Sequence, residues 1–174
     1  MTSDAWRLGP TVVTPRLEVR APTEDDRSRF VELFCDDSFM VFAGGPLSGA
    51  AAHGRFDRML RNARQLTFAK QPVIERSTGR IVGYSGVDWL ELEGEQRLEF
   101  GWRLVPEARG LGYATEASSA LLTRAAHSFT GELLAIIDPL NHASRNVAAK
   151  LGFEFSHQTT IDGDPCNIYR RLVG

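Results

Sequence analysis

The chain has 174 residues, 43% of them apolar and 24% charged, with a formal net charge of −2. That length suits one domain, spanning 1–174 with its core in about 14–172, that needs neither metal nor disulfide, and so small a charge offers no global field for nucleic acid. No run is long and apolar enough for a membrane helix, and Met1-Thr2-Ser3-Asp4-Ala5-Trp6-Arg7 lacks the basic-then-apolar order of a signal peptide, so the expected location is cytoplasmic.

In chain order, Val12 to Arg20 alternates weakly and reads as a first strand. Thr23 and Asp26 are spaced as a capping box, opening a helix whose apolar face is Phe30, Leu33 and Phe34. A second helix is expected from Ser48 to Arg64, with Ala52, Phe56, Met59, Leu60 and Ala63 at helical spacing. Three strands follow as a meander: Leu66–Glu75, Ile81–Leu90 and Gln96–Val105, with turns at Ser77–Arg80 and Glu93–Glu95. A glycine turn leads to a helix over Gly112–His127, and Leu133–Ile137 is a short, buried type of strand. Asp138–Asn141 opens one more helix, ended by Gly152, before closing strands near Phe153–Ile161 and Asn167–Leu172. This order gives an α+β domain around a mostly antiparallel sheet.

The most informative stretch is Glu107-Ala108-Arg109-Gly110-Leu111-Gly112-Tyr113-Ala114. A strand runs through Pro106 into a glycine turn, and a helix starts immediately. The N–H groups of Leu111, Gly112, Tyr113 and Ala114 then converge with the positive end of the helix dipole behind them, which is an anion site. The bland alternative is a tight turn and nothing more. A Walker loop is excluded because no Gly-Lys-Ser/Thr is present, and a dinucleotide domain because too few parallel strands remain downstream.

Arg109-x-x-Gly112-x-Ala114, Asn141-x-x-Ser144-x-x-Val147 and Lys150-Leu151-Gly152-Phe153, in that order behind a meander, resemble the GCN5-related N-acetyltransferases. The opening Thr14-Pro15-Arg16-Leu17-Glu18-Val19-Arg20 and Thr23-x-Asp25-Asp26 are similar to the RimJ/RimL-type branch, whose best-described members acetylate N-termini of ribosomal proteins. The resemblance covers roughly Thr14 to Leu172. It implies the acyl-CoA N-acyltransferase fold, a mixed, mostly antiparallel sheet with helices on both faces. It also implies acetyl-CoA as cosubstrate without a metal, and direct transfer to a primary amine in a ternary complex. A protein N-terminus is the favoured acceptor. A small amine such as an antibiotic or polyamine, or an acyl-CoA-binding domain with little turnover, are the alternatives. Nucleic acid and membrane are not expected partners, and a homodimer stays open.

Residue by residue, the resemblance assigns the coenzyme to Leu104, Val105, Arg109, Gly110, Leu111, Gly112, Tyr113, Ala114, Asn141, Ser144 and Asn146. A backbone N–H near Val105 would bond the acyl carbonyl, since Pro106 has none. Glu99 is the expected base, with a water chain or a merely paired carboxylate as alternatives. Ser144 is the expected donor to the leaving thiolate, because the tyrosine many relatives carry is replaced by Ala148. Arg55, Arg58, Arg61 and Arg64 read as a solvated face, or else as a rim for an acidic substrate. Cys35 and Cys166 are expected to be free and buried, Trp89 and Trp102 to be core or cleft wall, and the four histidines to hold no metal.

Overall fold

Residues 11–174 are described by the computed structural model. The expected first strand is broken into a small hairpin, β1 (Val12–Val13) and β2 (Leu17–Val19). Thr14 causes the break: its hydroxyl accepts the Leu17 N–H at 2.9 Å, and its own N–H donates to the Leu17 carbonyl. The capping box forms as expected. Asp26 accepts the Thr23 N–H at 2.8 Å and also takes both arms of the Arg20 guanidinium at 2.8 Å. Burial pushes the Asp26 carboxyl up, yet the Arg20 and Thr23 bonds outweigh it and hold the group below its ordinary value. Behind it run α1 (Arg27–Phe34), a single turn α2 (Asp37–Met40) and α3 (Gly49–Ala63), the last capped by Ser48.

β3 (Gln71–Glu75) is five residues shorter than expected. Leu66 to Lys70 instead turns over the sheet, with the Leu66 N–H returned to Asn62 and the Ala69 N–H to Leu66. Phe68 and Lys70 then bond to Val87, which hangs Lys70 above the next strands. β4 (Arg80–Leu92) and β5 (Glu95–Leu104) make the long hairpin, followed by α4 (Tyr113–Ala125) and β6 (Gly131–Ile137). The chain closes with α5 (His142–Lys150), β7 (Glu154–Ile161) and β8 (Asp164–Val173). Gly152 stands just past α5 in the left-handed conformation, at φ +75°.

The eight strands line up β1-β2-β3-β4-β5-β6-β8-β7, and every pairing is antiparallel except β5 with β6. Neighbouring strand residues face opposite sides, so two adjacent residues locate the helices. Ser85 bonds Ser118 of α4 at 2.8 Å, whereas Tyr84 packs against Phe34 of α1. Helices therefore cover both faces. On the α1–α3 side, Phe30, Phe34, Phe39, Phe56 and Tyr84 form a continuous buried aromatic layer. Burying such side chains, roughly 1.5–3 kcal/mol each, is what holds the short helices to the sheet.

Candidate active site

β5 and β6 share one register pair, Glu99↔Leu134, and then separate. Two parallel strands that part at their carboxyl ends leave a crevice there, the usual ligand position in such sheets. The N-terminal ends of α4 and α5 follow directly from those two strand ends. The Val105 N–H donates to the Val82 carbonyl at 2.9 Å, so it is committed to β4. Antiparallel ladders alternate, and the N–H groups of Trp102 and Leu104 consequently point the other way, toward the gap. This narrows the expected acyl-carbonyl donor from the neighbourhood of Val105 to Leu104.

Gly110 (φ +74°) and Gly112 (φ +82°) make the turn in left-handed conformations that most side chains resist. The N–H groups from Gly110 through Thr115 have no partner among the described residues, and the first return bond is Glu116 N–H to the Gly112 carbonyl. This row of donors at a helix N-terminus fits a diphosphate. Its shape is fixed by side chains whose holding role the sequence did not show. Arg16 donates to the Leu111 carbonyl at 2.9 Å and to Glu116 at 2.7 Å, and its guanidinium lies 4.7 Å over the Tyr113 ring. Thr14 donates to the same Glu116 at 2.6 Å. The Tyr113 hydroxyl is held by Glu75 at 2.7 Å, leaving only its N–H for a ligand. Arg109 turns back to the carbonyls of Leu104 (3.0 Å) and Ser38 (2.7 Å) and so clamps the turn to α2. Burial and the nearby charge of Arg103 depress its pKa.

Across the gap, on the α3 face, Glu99 Oε2 accepts from Lys70 Nζ at 2.8 Å. The partner is thus Lys70, brought by the turn at Leu66–Lys70, and not Arg97 or Arg103 of the same strand. Burial pushes the Lys70 ammonium down, but Glu99, Tyr84 and Asp88 outweigh it and raise its pKa, so Lys70 stays charged and cannot itself serve as a base. The other carboxylate oxygen lies over Gly101, where a Cβ would come within 2.6 Å of it. Beside this pair is a small, partly open cleft lined by Phe34, Arg55, Arg58, Met59, Asn62, Lys70, Tyr84, Val87 and Asp88. The arginine series is thereby split: half-buried Arg55 and exposed Arg58 line the cleft, while Arg61 and Arg64, also exposed, do not. Met40 and Phe39 are buried and Phe42 is exposed.

Asn141 caps α5 by accepting the Ser144 N–H at 3.0 Å, and Ser144 sits half-buried in the first turn at the mouth of the gap. Asn146 does not join them. It is two residues past Ser144, about 200° around a helix, and with His142, Arg145 and Ala149 it lines a separate groove against β7 and β8. Ala148, where a tyrosine would stand, is fully buried. Two further expectations are corrected. Cys35 is exposed and Cys166 half-exposed rather than buried, because Cys35 follows the last turn of α1 on its outer side. Trp89 is 49% exposed, on the far part of the β4–β5 hairpin beyond the helices, whereas Trp102 packs on Phe100 and Phe153. Among the described residues no group of His, Cys, Asp and Glu is arranged for a metal, and no helix is long and apolar enough to cross a membrane.

A parting of two parallel strands, a phosphate-ready turn and a carboxylate across the gap define an acyl-CoA-dependent acyltransferase site. The sequence model of the acetyltransferase (GNAT) domain matches residues 16–154, and the chain belongs to that family. Among curated proteins it is similar to YkkB of Bacillus subtilis (strain 168), described as uncharacterized, at 27% identity over 92% of this chain and 94% of that one. Among solved structures it is similar to an acetyltransferase from Agrobacterium tumefaciens strain C58, with TM-score 0.79, 26% identity and 93% and 94% of the two chains covered. The fold is also that of RimL, a ribosomal L7/L12 α-N-protein acetyltransferase solved with coenzyme A, at TM-score 0.75, 18% identity and 94% and 98% coverage.

Proposed function

We propose that this protein transfers an acetyl group from acetyl-CoA to a primary amine by direct attack. The observation that carries this reading is the row of N–H groups from Gly110 to Thr115, unbonded among the described residues, beside the end of β5 that β6 no longer pairs. Bound there, acetyl-CoA supplies an activated acyl thioester. The N–H groups of Leu111, Gly112, Tyr113 and Ala114 hold its diphosphate, and Arg109 keeps the turn in place. Asn141 and Ser144 line its approach from α5. The Leu104 N–H polarises the acyl carbonyl and strengthens as negative charge develops on that oxygen.

An amine attacks only as the free base. Glu99 Oε1, the oxygen not held by Lys70, takes the proton as the new C–N bond forms and the C–S bond breaks. Ser144 or water returns a proton to the departing thiolate, a small gain for a group of pKa near 8.5. The opening segment Thr14–Arg20 and Thr23–Asp26 resembles the RimJ/RimL-type branch, which favours a protein N-terminal amine as acceptor. A second reading, a small amine, is supported by the small, charged cleft beneath α3, where Lys70 and Asp88 lie beside Arg55 and Arg58.

Calorimetric titration with acetyl-CoA, followed by thiol release with and without amines, tests the activity. Micromolar binding and amine-dependent thiol release are expected. A folded protein that gives no heat with coenzyme would sink the reading, and one that binds but releases no thiol with any amine would reduce it to a binding domain.

A further inference from the structure

The cleft beside Glu99 carries more positive than negative charge. Lys70 is matched by Glu99 at 2.8 Å and lies 3.9 Å from Asp88, and Arg58 reaches Asp88 at 3.7 Å. Arg55 and Arg103 have no carboxylate partner among the described residues. Arg55 lies 5.0 Å over the Phe34 ring. Arg103 lies 5.7 Å over Tyr84 and 5.8 Å over Phe39, and its nearest hydrogen-bonding group is the Met40 sulfur at 3.2 Å. Around Tyr84, which lines the cleft, four cations stand against two carboxylates, so two positive charges have no carboxylate answer among the described residues.

A guanidinium cannot shed its proton, and half-burying one among aromatic rings and a thioether, without an anion, is unfavourable. Cation–π contact recovers only about 0.5–2 kcal/mol of that cost. A fully exposed arginine would be satisfied by water, but Arg103 is half-buried, and it also faces the charge of Arg109. The potential is felt by a neighbouring group: burial pushes the Tyr84 phenol up, yet Arg103, Lys70 and Arg55 outweigh burial and lower its pKa. An incoming anion would meet the same field.

Resting on the acetyltransferase reading above, we propose that the acceptor carries a carboxylate or phosphate close to its reactive amine, seated on Arg55 and Arg103 over Tyr84. The amine then faces Glu99 Oε1 while the anion occupies the cationic end of the cleft. Fork-shaped donors suit either oxyanion equally. The shared chemistry is therefore one molecule bearing both an amine and an oxyanion, and a polyamine, which bears only cations, is disfavoured.

Matched acceptors test this in the whole chain: a peptide beginning with Asp against one beginning with Asn, and O-phosphoethanolamine against ethanolamine. Thiol release should favour the acidic member of at least one pair by tenfold or more in kcat/KM. Arg55→Gln and Arg103→Gln should each bring the ratio toward one, and Arg55→Glu should favour the neutral member. Preference confined to the peptides assigns a protein terminus, and preference confined to O-phosphoethanolamine assigns a small acceptor. Equal rates within both pairs, or a preference that survives both arginine variants, overturn the proposal while leaving the acetyltransferase intact. If nothing turns over, calorimetry of the same acceptors on the CoA-loaded protein still decides. Tighter binding of the acidic members that Arg55→Gln removes supports the anion seat, and equal binding overturns it.

Discussion

The two sides of the gap between β5 and β6 are made of different material. On the α4 side the proposed ligand contacts are main-chain N–H groups, and side chains such as Arg16, Glu116 and Arg109 only hold the turn that presents them. On the α3 side the contacts are all side chains, Glu99, Lys70, Arg55 and Arg103, drawn from a helix, a turn and a strand. A main-chain site is set by backbone conformation, so it resists drift and suits a cosubstrate that never changes. A side-chain site can be re-specified one residue at a time, which suits the variable acceptor. Substitutions on the two sides should therefore fail in different ways.

The largest effect is expected from Glu99→Gln, which keeps the shape but removes the proton acceptor. Removal of a general base costs typically 10²–10⁴ in rate, so kcat/KM for the amine should fall by about that factor while the calorimetric affinity for acetyl-CoA stays unchanged. If kcat/KM stays within about twofold, Glu99 is a structural partner of Lys70 and a water chain is the base.

Next comes the opposite kind of failure. Gly112→Val forces a β-branched side chain into φ +82°, with the new Cβ at 3.4 Å from Arg16. Left-handed strain of roughly 1–3 kcal/mol would be relieved by reshaping the turn. The acetyl-CoA Kd should rise tenfold or more, with the ratio between acidic and neutral acceptors preserved. Unaltered affinity would show that the coenzyme does not use this turn.

Gly101→Ala sharpens the division. A Cβ there would push the Glu99 carboxylate, the mobile end of a side chain, and not backbone, so the cost to folding is small and the carboxylate moves. Displacements of an ångström cost up to 10² in rate. A fall of about tenfold in kcat with little change in coenzyme affinity is expected, measured by thiol release at saturating acetyl-CoA.

This division also explains what could be read from the sequence. Gly110 and Gly112 announce a backbone conformation directly, and the alternation of Leu98, Phe100, Trp102 and Leu104 announces a strand facing the core, so the α4 side was legible. Lys70 was not. It lies in a stretch whose β-like composition read as strand, and only the return bonds of Leu66 and Ala69 turn it over Glu99. The arginines of α3 were visible as a series. Which pair faces the sheet depends on how the helix is rotated against Phe30 and Phe34, a tertiary fact. Asn146 lies apart for a simpler reason, since helical periodicity alone places it away from Ser144. Arg16 carried its signal in the Thr14–Arg20 resemblance, but not its role, which needs the contact with an α4 residue one hundred positions away.

The smallest effect concerns that contact. Glu116 stands in the first turn of α4, where a negative charge meets the helix dipole favourably, and it accepts from Thr14 and from the Arg16 backbone and side chain. Burial pushes its carboxyl up, but the Thr14 and Arg16 bonds outweigh burial and hold its pKa below the ordinary value. A carboxyl depressed in the folded state adds stability that is present above the unfolded pKa, about 4.3, and lost as pH falls through the folded one. Glu116→Gln weakens the bonds and removes the charge, for a cost of about 1–2 kcal/mol, or roughly 2–8 °C in Tm for a chain of this size. Thermal melts at pH 7 should show that gap, and the gap should narrow as pH drops below 4. Because the latch shapes the turn, the variant should also weaken acetyl-CoA binding a few-fold while leaving acceptor preference alone. A variant that lost acceptor preference instead would mean that the two sides of the gap are mechanically coupled, and the division between a backbone half and a side-chain half would fail.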